Sequence, residues 1–354
     1  MDTAYLVLAN GRIFKGKSFG APIDAATVGE VVFTTAMTGY VETLTDPSYA
    51  GQIVLQTFPL IGNYGVMQDD QESRRVHVRA YIVKDPCGEP SNFRAEGAIS
   101  EFLKAFGIPG LCGIDTRALT RLIREHGVLN GAITSDPDSV NLAELQSYAV
   151  TNALAQVREV RRREYGVEEP LAKVVLWDFG LKTSQIMHLV NRGCTVVRVA
   201  SDASVEQILA EEPDGVLLSN GPGDPRENTA LISEIDKLTK TGVPIMGICL
   251  GHQLLALSQG GTVEKLKYGH RGANHPVRDV ITGRAHITSQ NHGYAVAGLP
   301  ENSTLRYENI NDGTVEGVDY GNFKGFSAQF HPEACAGPED TAFLFDRFMD
   351  LMKG

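Results

Sequence analysis

Apolar residues follow two rhythms along this chain, and the rhythm changes partway. In the first part, short β-branched and aromatic runs alternate with polar turns. Tyr5-Leu6-Val7-Leu8 and Arg12-Ile13-Phe14 flank Ala9-Asn10-Gly11, and Asn-Gly between apolar runs predicts a hairpin. Val31-Val32-Phe33-Thr34, Ile53-Val54-Leu55 and Val78 to Val83 predict further strands, with the polar turn Thr45-Asp46-Pro47-Ser48-Tyr49 between the first two. Ala98, Ile99, Phe102, Leu103 and Phe106 fall at helical spacing, as do Leu119, Leu122 and Ile123 in a second helix that ends before Gly127. Residues 1–150 therefore read as a smaller, β-rich α+β domain.

Residues 151–171 break both rhythms. Arg158, Arg161, Arg162 and Arg163 mix with Glu159, Glu164, Glu168 and Glu169 and end at Pro170, and mixed charge without apolar periodicity predicts a solvated linker. Over 172–354 strands and helices take turns. Val174-Val175-Leu176-Trp177, Thr195 to Val199 and Gly215 to Leu218 predict buried strands; Ile186, Met187 and Val190 predict one helix and Leu231, Ile232, Ile235 and Leu238 another. That alternation predicts an α/β domain with an open, mostly parallel sheet, whose ligand chemistry lies at the carboxyl ends of the strands. Further on, Ala285 to Ser289 and Tyr294 to Val296 predict strand pieces around a turn at Gln290-Asn291-His292-Gly293. Asn311-Asp312-Gly313 predicts a second hairpin, and Leu344, Phe345, Phe348 and Met352 a closing helix begun near Pro338.

The chemistry concentrates at one corner of this pattern. Val243-Pro244-Ile245-Met246 runs into Gly247-Ile248-Cys249-Leu250-Gly251-His252-Gln253, and an apolar stretch from Leu254 to Leu257 then stops at Gly260-Gly261. Strand, tight corner, helix is the geometry that lifts a nucleophile above an α/β sheet, and Gly-x-Cys-x-Gly has the spacing of such an elbow. Cys249 would sit in the positive field of a helix N-terminus. By itself a cysteine is more often a small buried hydrophobe. A nucleophile also needs a base and a group to orient it, and His331-Pro332-Glu333 supplies both, since residues two apart in an extended segment share a face. His252 and His292 have no acid at such a spacing, so structural roles are expected for them. Cys335 is expected to be a plain loop residue, with an oxidisable thiol as the alternative.

Bulk composition narrows the field. A net charge of −11, from 43 acidic and 32 basic residues, argues against a broad nucleic-acid or anionic-membrane surface. Five scattered cysteines without a Cys-x-x-Cys pair indicate neither a disulfide framework nor a zinc site. The first residues lack the basic-then-apolar pattern of a secretory leader, and no apolar run is long enough for a bilayer span, so a cytoplasmic protein is expected. Gly11-Arg12-Ile13-Phe14-Lys15-Gly16-Lys17-Ser18 fits the phosphate-loop spacing letter for letter. Phe19-Gly20-Ala21-Pro22 follows where a helix is required, so no nucleotide site is expected there.

The cysteine elbow with a late His-Pro-Glu resembles the class I glutamine amidotransferase family. Gly39-Tyr40, Leu44-Thr45-Asp46-Pro47-Ser48-Tyr49, Ile61-Gly62-Asn63 and Gly113-Ile114-Asp115-Thr116-Arg117-Ala118-Leu119-Thr120 resemble the amino-terminal domain of the small, glutamine-hydrolysing chains of the carbamoyl-phosphate synthase family. Together these motifs cover nearly the whole sequence. The resemblance implies that Cys249 attacks the side-chain amide of L-glutamine, that His331 handles protons and that Glu333 orients it. It implies an oxyanion hole from the amides of Gly221 and Leu250 in Ser219-Asn220-Gly221-Pro222-Gly223 and the elbow. It implies glutamine contacts at Ser48, Gly223, Gln253, Asn291, Gly293 and Tyr294. Many relatives carry Phe in place of Tyr294, and the contact expected there is a backbone one. Judged from its own surroundings, Ser48 is a turn former after Asp-Pro.

No metal or organic cofactor is expected in this chain. ATP and Mg are expected only on a partner, a large synthetase subunit that takes up the ammonia and uses bicarbonate to make carbamoyl phosphate for arginine or pyrimidine synthesis. Neither nucleic acid nor membrane is an expected partner. Two rivals use the same residues differently. A free-standing hydrolase of γ-glutamyl compounds would share the elbow and the His-x-Glu pair, and a non-catalytic regulatory module would share the fold while dispensing with Cys249 or His331.

Overall fold

The computed structural model describes residues 1–353. The chain divides into two compact units, Met1–Thr151 and the residues from Asn152 onward.

In the first unit the predicted strands close on themselves. Thr3–Leu8, Ile13–Gly20, Pro109–Cys112, Ala80–Ile82, Gln52–Gln56, Thr27–Thr34 and Leu129–Thr134 pair in that order around a closed barrel, so none of these strands is left with a bare edge. The Asn10-Gly11 turn joins the first two strands as an antiparallel pair, with Gly11 at φ 82°. Val32, Val54, Tyr81, Ile99 and Leu103 share one apolar cluster, which places the helix Ile99–Ala105 against the barrel. Thr116–His126 is capped by the Asp115 carboxylate, which accepts from the Ala118 N–H, and it stops at Gly127 as expected. The expected turn around Ser48 is partly helical: Tyr40–Thr45 is an α-helix and Pro47–Tyr49 a single 3-10 turn capped by Asp46. Residues Ile13–Gly20, which carry most of the phosphate-loop spacing, are a strand.

The second unit is built on a ten-stranded sheet in the order Arg163–Tyr165, Cys194–Ala200, Ala172–Asp178, Gly215–Leu218, Ile245–Ile248, Gly325–Ala328, Val315–Tyr320, Ala285–Gly298, Thr262–Asp279 and Ser303–Asn309. The five strands from Cys194–Ala200 to Gly325–Ala328 are parallel, and every other pairing is antiparallel. The expectation of a mostly parallel sheet thus describes only its centre. Alternation explains why the central strands read as continuous apolar runs. Val174 and Leu176 point into one core with Leu217, Met246, Phe345 and Phe348, whereas Val175 and Trp177 point into another with Leu218, Ile235 and Leu254.

Three sequence expectations differ from this structure. Residues 151–171 are not a bare linker: Ala153–Val157 is a helix, and Arg163–Tyr165 adds an antiparallel edge strand to Cys194–Ala200. Their charges still face water, because Arg162 bridges Glu164 and Glu211 at the surface, while pairing uses only the backbone. Gln290 to Gly293 do not form a turn. Ala285–Gly298 is one strand, and at the register shifts with Thr262–Asp279 that flank Gln290 to His292 the extra residues lie on the latter. The last helix starts at Phe343, several residues after Pro338. Among the described residues no helix is long and apolar enough to cross a membrane.

Candidate active site

The corner between Ile245–Ile248 and the helix Leu250–Ser258 is a strained turn. Cys249 joins them at φ 52°, ψ −103°, a backbone state that residues with a side chain rarely adopt. Hydrogen bonds hold it there. Its N–H donates to the Ala328 carbonyl at 2.9 Å, and its own carbonyl accepts from the Gln253 N–H at 3.1 Å. Both elbow glycines are required by space. A Cβ on Gly251 would lie 2.3 Å from the Leu218 carbonyl oxygen, and one on Gly247 would lie 2.9 Å from that of Gly251. The helix can therefore approach the neighbouring strand closely.

Gly325–Ala328 runs parallel beside Ile245–Ile248, with Ile248 opposite Ala328, so the carboxyl ends of the two strands bring Cys249 and His331 to the same edge. The His331 N–H donates to the Ser289 carbonyl at 2.9 Å, which ties the segment to the antiparallel half. The imidazole and the Glu333 carboxylate do share a face: Nδ1 lies 2.7 Å from Oε1. All three side chains are buried, at 2%, 2% and 1% residue exposure for Cys249, His331 and Glu333. The Cys249 thiol reaches the Asn291 carbonyl at 3.6 Å. His331 Nε2 has no hydrogen-bond partner among the described residues, and the sulfur lies near enough to act on the imidazole's charge. Burial alone would depress the His331 pKa, but Glu333 and then Cys249 overcome it and raise the group to about 10. Burial likewise opposes the Glu333 charge, and His331 and Lys182 reverse that effect and hold the carboxyl at about 2.

Two of the groups that shape this pair were not foreseen from the sequence. Gln185 Nε2 donates to Glu333 Oε1 at 3.1 Å and to Asn220 Oδ1 at 3.0 Å. Lys182 Nζ lies 3.5 Å from the same Glu333 oxygen and donates to the Ala334 and Cys335 carbonyls at 2.8 and 3.0 Å. Those bonds fix the backbone just past the triad, where Ala334 and Cys335 both have positive φ. The available signal was positional: Lys182 and Gln185 follow the carboxyl end of Ala172–Asp178, where ligand chemistry is expected in an open α/β sheet. Asp178, by contrast, is structural, accepting from the Gly180 and Leu181 N–H groups and pairing with Arg198.

The remaining expected residues lie in the same unit as Cys249 and His331, with one exception. Gly221 packs so tightly that an added Cβ would lie 2.3 Å from the Phe179 carbonyl oxygen and 2.7 Å from Leu250 Cδ2, which makes Gly221 and Leu250 neighbours. Leu250 opens the elbow helix, so its N–H has no acceptor within that helix. Gly223 has φ 91°, and a Cβ there would meet Ala153 at 2.6 Å. Gln253 Nε2 donates to the Tyr294 carbonyl at 2.8 Å and to Gln329 Oε1 at 2.9 Å. Gly293 lies against Arg271, with a built Cβ 3.3 Å from Nη2. Ser48 is the exception: it belongs to the amino-terminal unit, where its N–H donates to Asp46 Oδ1 at 2.9 Å. His252, fully buried, meets Ser327 Oγ at 2.7 Å through Nδ1, and burial lowers its pKa to about 3. Cys335 is exposed.

Comparison with known proteins finds family matches in both units of the chain. Residues 6–133 match the family described as "Carbamoyl-phosphate synthase small chain, CPSase domain", and residues 175–351 match "Glutamine amidotransferase class-I". The carbamoyl phosphate synthase small chain of Clostridium perfringens is 49% identical over 346 residues, covering 98% of each chain. The protein named carbamoyl phosphate synthase pyrimidine-specific small chain in Halalkalibacterium halodurans is also 49% identical, over 98% of this chain and 96% of its own. A solved glutamine amidotransferase from Thermotoga maritima aligns with 46% of this chain and 76% of its own at 20% identity and a TM-score of 0.39.

Proposed function

The chain belongs to the carbamoyl-phosphate synthase small chain family, and from that premise we propose how its residues carry the reaction. It is the glutaminase subunit of carbamoyl-phosphate synthase, a glutamine amidotransferase. Cys249 Sγ adds to the side-chain amide carbon of L-glutamine, and the charge that collects on the carbonyl oxygen is met by the N–H groups of Gly221 and Leu250. Each such donor contributes about 100- to 1000-fold in rate. His331, held as an imidazolium by Glu333, gives its Nε2 proton to the departing nitrogen; the C–N bond breaks, ammonia leaves and a γ-glutamyl thioester remains. The now neutral imidazole takes a proton from water as its oxygen adds to the thioester, and glutamate departs with the sulfur regenerated. Gly223, Gln253, Asn291, Gly293 and Tyr294 contact the glutamine.

The observation that carries this reading is the 2.7 Å bond from His331 Nδ1 to Glu333, with Nε2 left open beside Cys249. None of these steps calls for a metal or organic cofactor on this chain. The ammonia passes in the cytoplasm to a large synthetase subunit, where ATP, Mg and bicarbonate complete carbamoyl phosphate for arginine or pyrimidine synthesis. Cys249→Ser in the assembled complex tests this division of labour. Glutamine-dependent synthesis is expected to fall by at least about 1000-fold while synthesis from added ammonium salt persists. Loss of both would overturn it.

A further inference from the structure

Polar groups that the reaction does not use, most of them buried, cluster on the antiparallel side of the sheet. His270, Arg271 and His275 come from Thr262–Asp279, Gln290 and His292 from Ala285–Gly298, Asn309 from Ser303–Asn309, Asp312 from the hairpin that follows, and Glu316 from Val315–Tyr320. His270, His292 and Glu316 each offer an atom of the kind that binds metal ions, all within 4.8 Å of one another. Hydrogen bonds already occupy most of those atoms. The Tyr294 carbonyl faces His292 Nδ1 at 2.7 Å, His292 Nε2 faces the Gln290 side-chain amide at 2.7 Å, and that amide's other end meets Glu316 Oε2 at 2.9 Å. Glu316 Oε1 accepts from Asn309 Nδ2 at 2.9 Å and lies 3.4 Å from His270 Nδ1, and His270 Nε2 meets Asp312 Oδ2 at 2.7 Å.

Counting protons along this chain gives a definite result. The Tyr294 carbonyl only accepts, so His292 Nδ1 carries a hydrogen. If Gln290 turns its oxygen to His292, then His292 Nε2 carries a hydrogen as well and the ring is an imidazolium. If Gln290 is turned over, its oxygen faces Glu316 Oε2, which must then carry the hydrogen. Thr288 Oγ1 gives its one hydrogen to the His275 carbonyl at 2.8 Å and lies 3.2 Å from Gln290 Nε2, so it accepts there and favours the first orientation. Both orientations contain one proton more than a neutral imidazole and an ionised carboxylate would hold.

We propose that the segment Asn291–Tyr294 is positioned for glutamine by one proton stored between His292 and Glu316, which makes Gln290 and Glu316 positioning residues. This rests on the reading that Asn291, Gly293 and Tyr294 contact glutamine. The same segment supplies the Asn291 carbonyl to Cys249 and the Tyr294 carbonyl to Gln253. Burial, with the neighbouring His270, Arg271 and His275, pulls the His292 pKa well below the ordinary imidazole value, so a charge there depends on both ring nitrogens facing acceptors. Against the pull of burial, Glu316 and Asp312 raise His270, which places a positive group on the far side of the carboxylate.

Two measurements test it. Neutron diffraction from deuterium-exchanged crystals is expected to place a deuteron on His292 Nε2 or on Glu316 Oε2; a map with neither, or one equivalent of metal at the cluster, overturns the proposal. In glutamate release by the assembled complex, Glu316→Ala is expected to raise the glutamine KM by about three- to tenfold with kcat within about twofold. Glu316→Gln, whose amide can donate to Gln290 without the extra proton, is expected to stay near the wild-type KM. Equal KM values for the Ala variant and wild type, or a fall in kcat alone, would show a merely structural role. A wild-type complex that releases no glutamate would instead overturn the functional reading, while the neutron map would still decide where the proton lies.

Discussion

The first turn of the elbow helix and the loop after Gly325–Ala328 each bury an imidazole completely, yet the two rings behave in opposite ways. His252 meets a hydroxyl, Ser327 Oγ at 2.7 Å, and burial carries its pKa down to about 3. His331 suffers the same burial, but with Glu333 Oε1 at 2.7 Å and Cys249 beside it, it ends at about 10. Burial sets the cost of a charge and leaves its sign to the neighbours. In one sheet, therefore, a histidine three residues past the nucleophile is inert to protons at neutral pH, whereas one from far along the chain stays ready to donate.

Removing the carboxylate should collapse that contrast. Glu333→Gln is expected to lower kcat for glutamine hydrolysis by about 100- to 10,000-fold, because the ring loses both its orientation and its charge partner. Without Glu333 the His331 pKa falls toward that of His252, so the loss of imidazolium moves to lower pH in the kcat profile. The stability of the native chain should respond too. The raised pKa of His331 contributes stability that is full below 6.5 and is lost as pH rises toward about 10, and the lowered pKa of Glu333 contributes stability that is full above 4.5 and is lost as pH falls toward about 2. Urea midpoints measured across this range should show a broad advantage of wild type over Glu333→Gln, shrinking at both ends.

A smaller effect is expected at Lys182, which lends Glu333 a second positive neighbour. Lys182→Met should destabilise the fold by about 3 kcal/mol, since a buried carboxylate loses one partner and two carbonyls lose their donor. It should also move the acid limb of the activity profile upward, because Glu333 is held down in part by Lys182. The smallest effect belongs to the other member of the comparison. His252→Phe should leave the kcat profile within about twofold of wild type and cost about 1 kcal/mol through the lost Ser327 contact. Since native His252 stays neutral down to about 3 while the unfolded chain takes up a proton below 6.5, wild type loses stability as pH falls below 6.5. The variant should lack that part of the acid sensitivity, which thermal melts at a series of pH values would reveal.

What could be read from the sequence was whatever is local. The elbow, the His-x-Glu pair and the hairpins at Asn10-Gly11 and Asn311-Asp312-Gly313 are each specified within a few residues by spacing and backbone preference. Lys182 and Gln185 were illegible as partners of Glu333, which lies about 150 residues away, because only their place after a strand's carboxyl end marks them out. The strand through Gln290 to Gly293 was mistaken for a turn because a polar stretch with glycine mimics one. Its backbone is paired with Thr262–Asp279 and the Gln290 side chain meets Glu316 on Val315–Tyr320, a tertiary compensation invisible to local pattern. Closure of the amino-terminal strands into a barrel depends likewise on which strands meet, and their periodicity says nothing about that.

Cys249 keeps its backbone at φ 52° only because everything around it insists. Such a pose costs about 1–3 kcal/mol, and that tension is carried by the contact of Gly251 with the Leu218 carbonyl and by the bond to Ala328. A modest warming that loosens the bend would let the sulfur swing away from its ring long before the sheet comes apart. Heat would then silence this enzyme while its secondary structure still looked intact, and a preparation judged sound by its circular dichroism could already be dead.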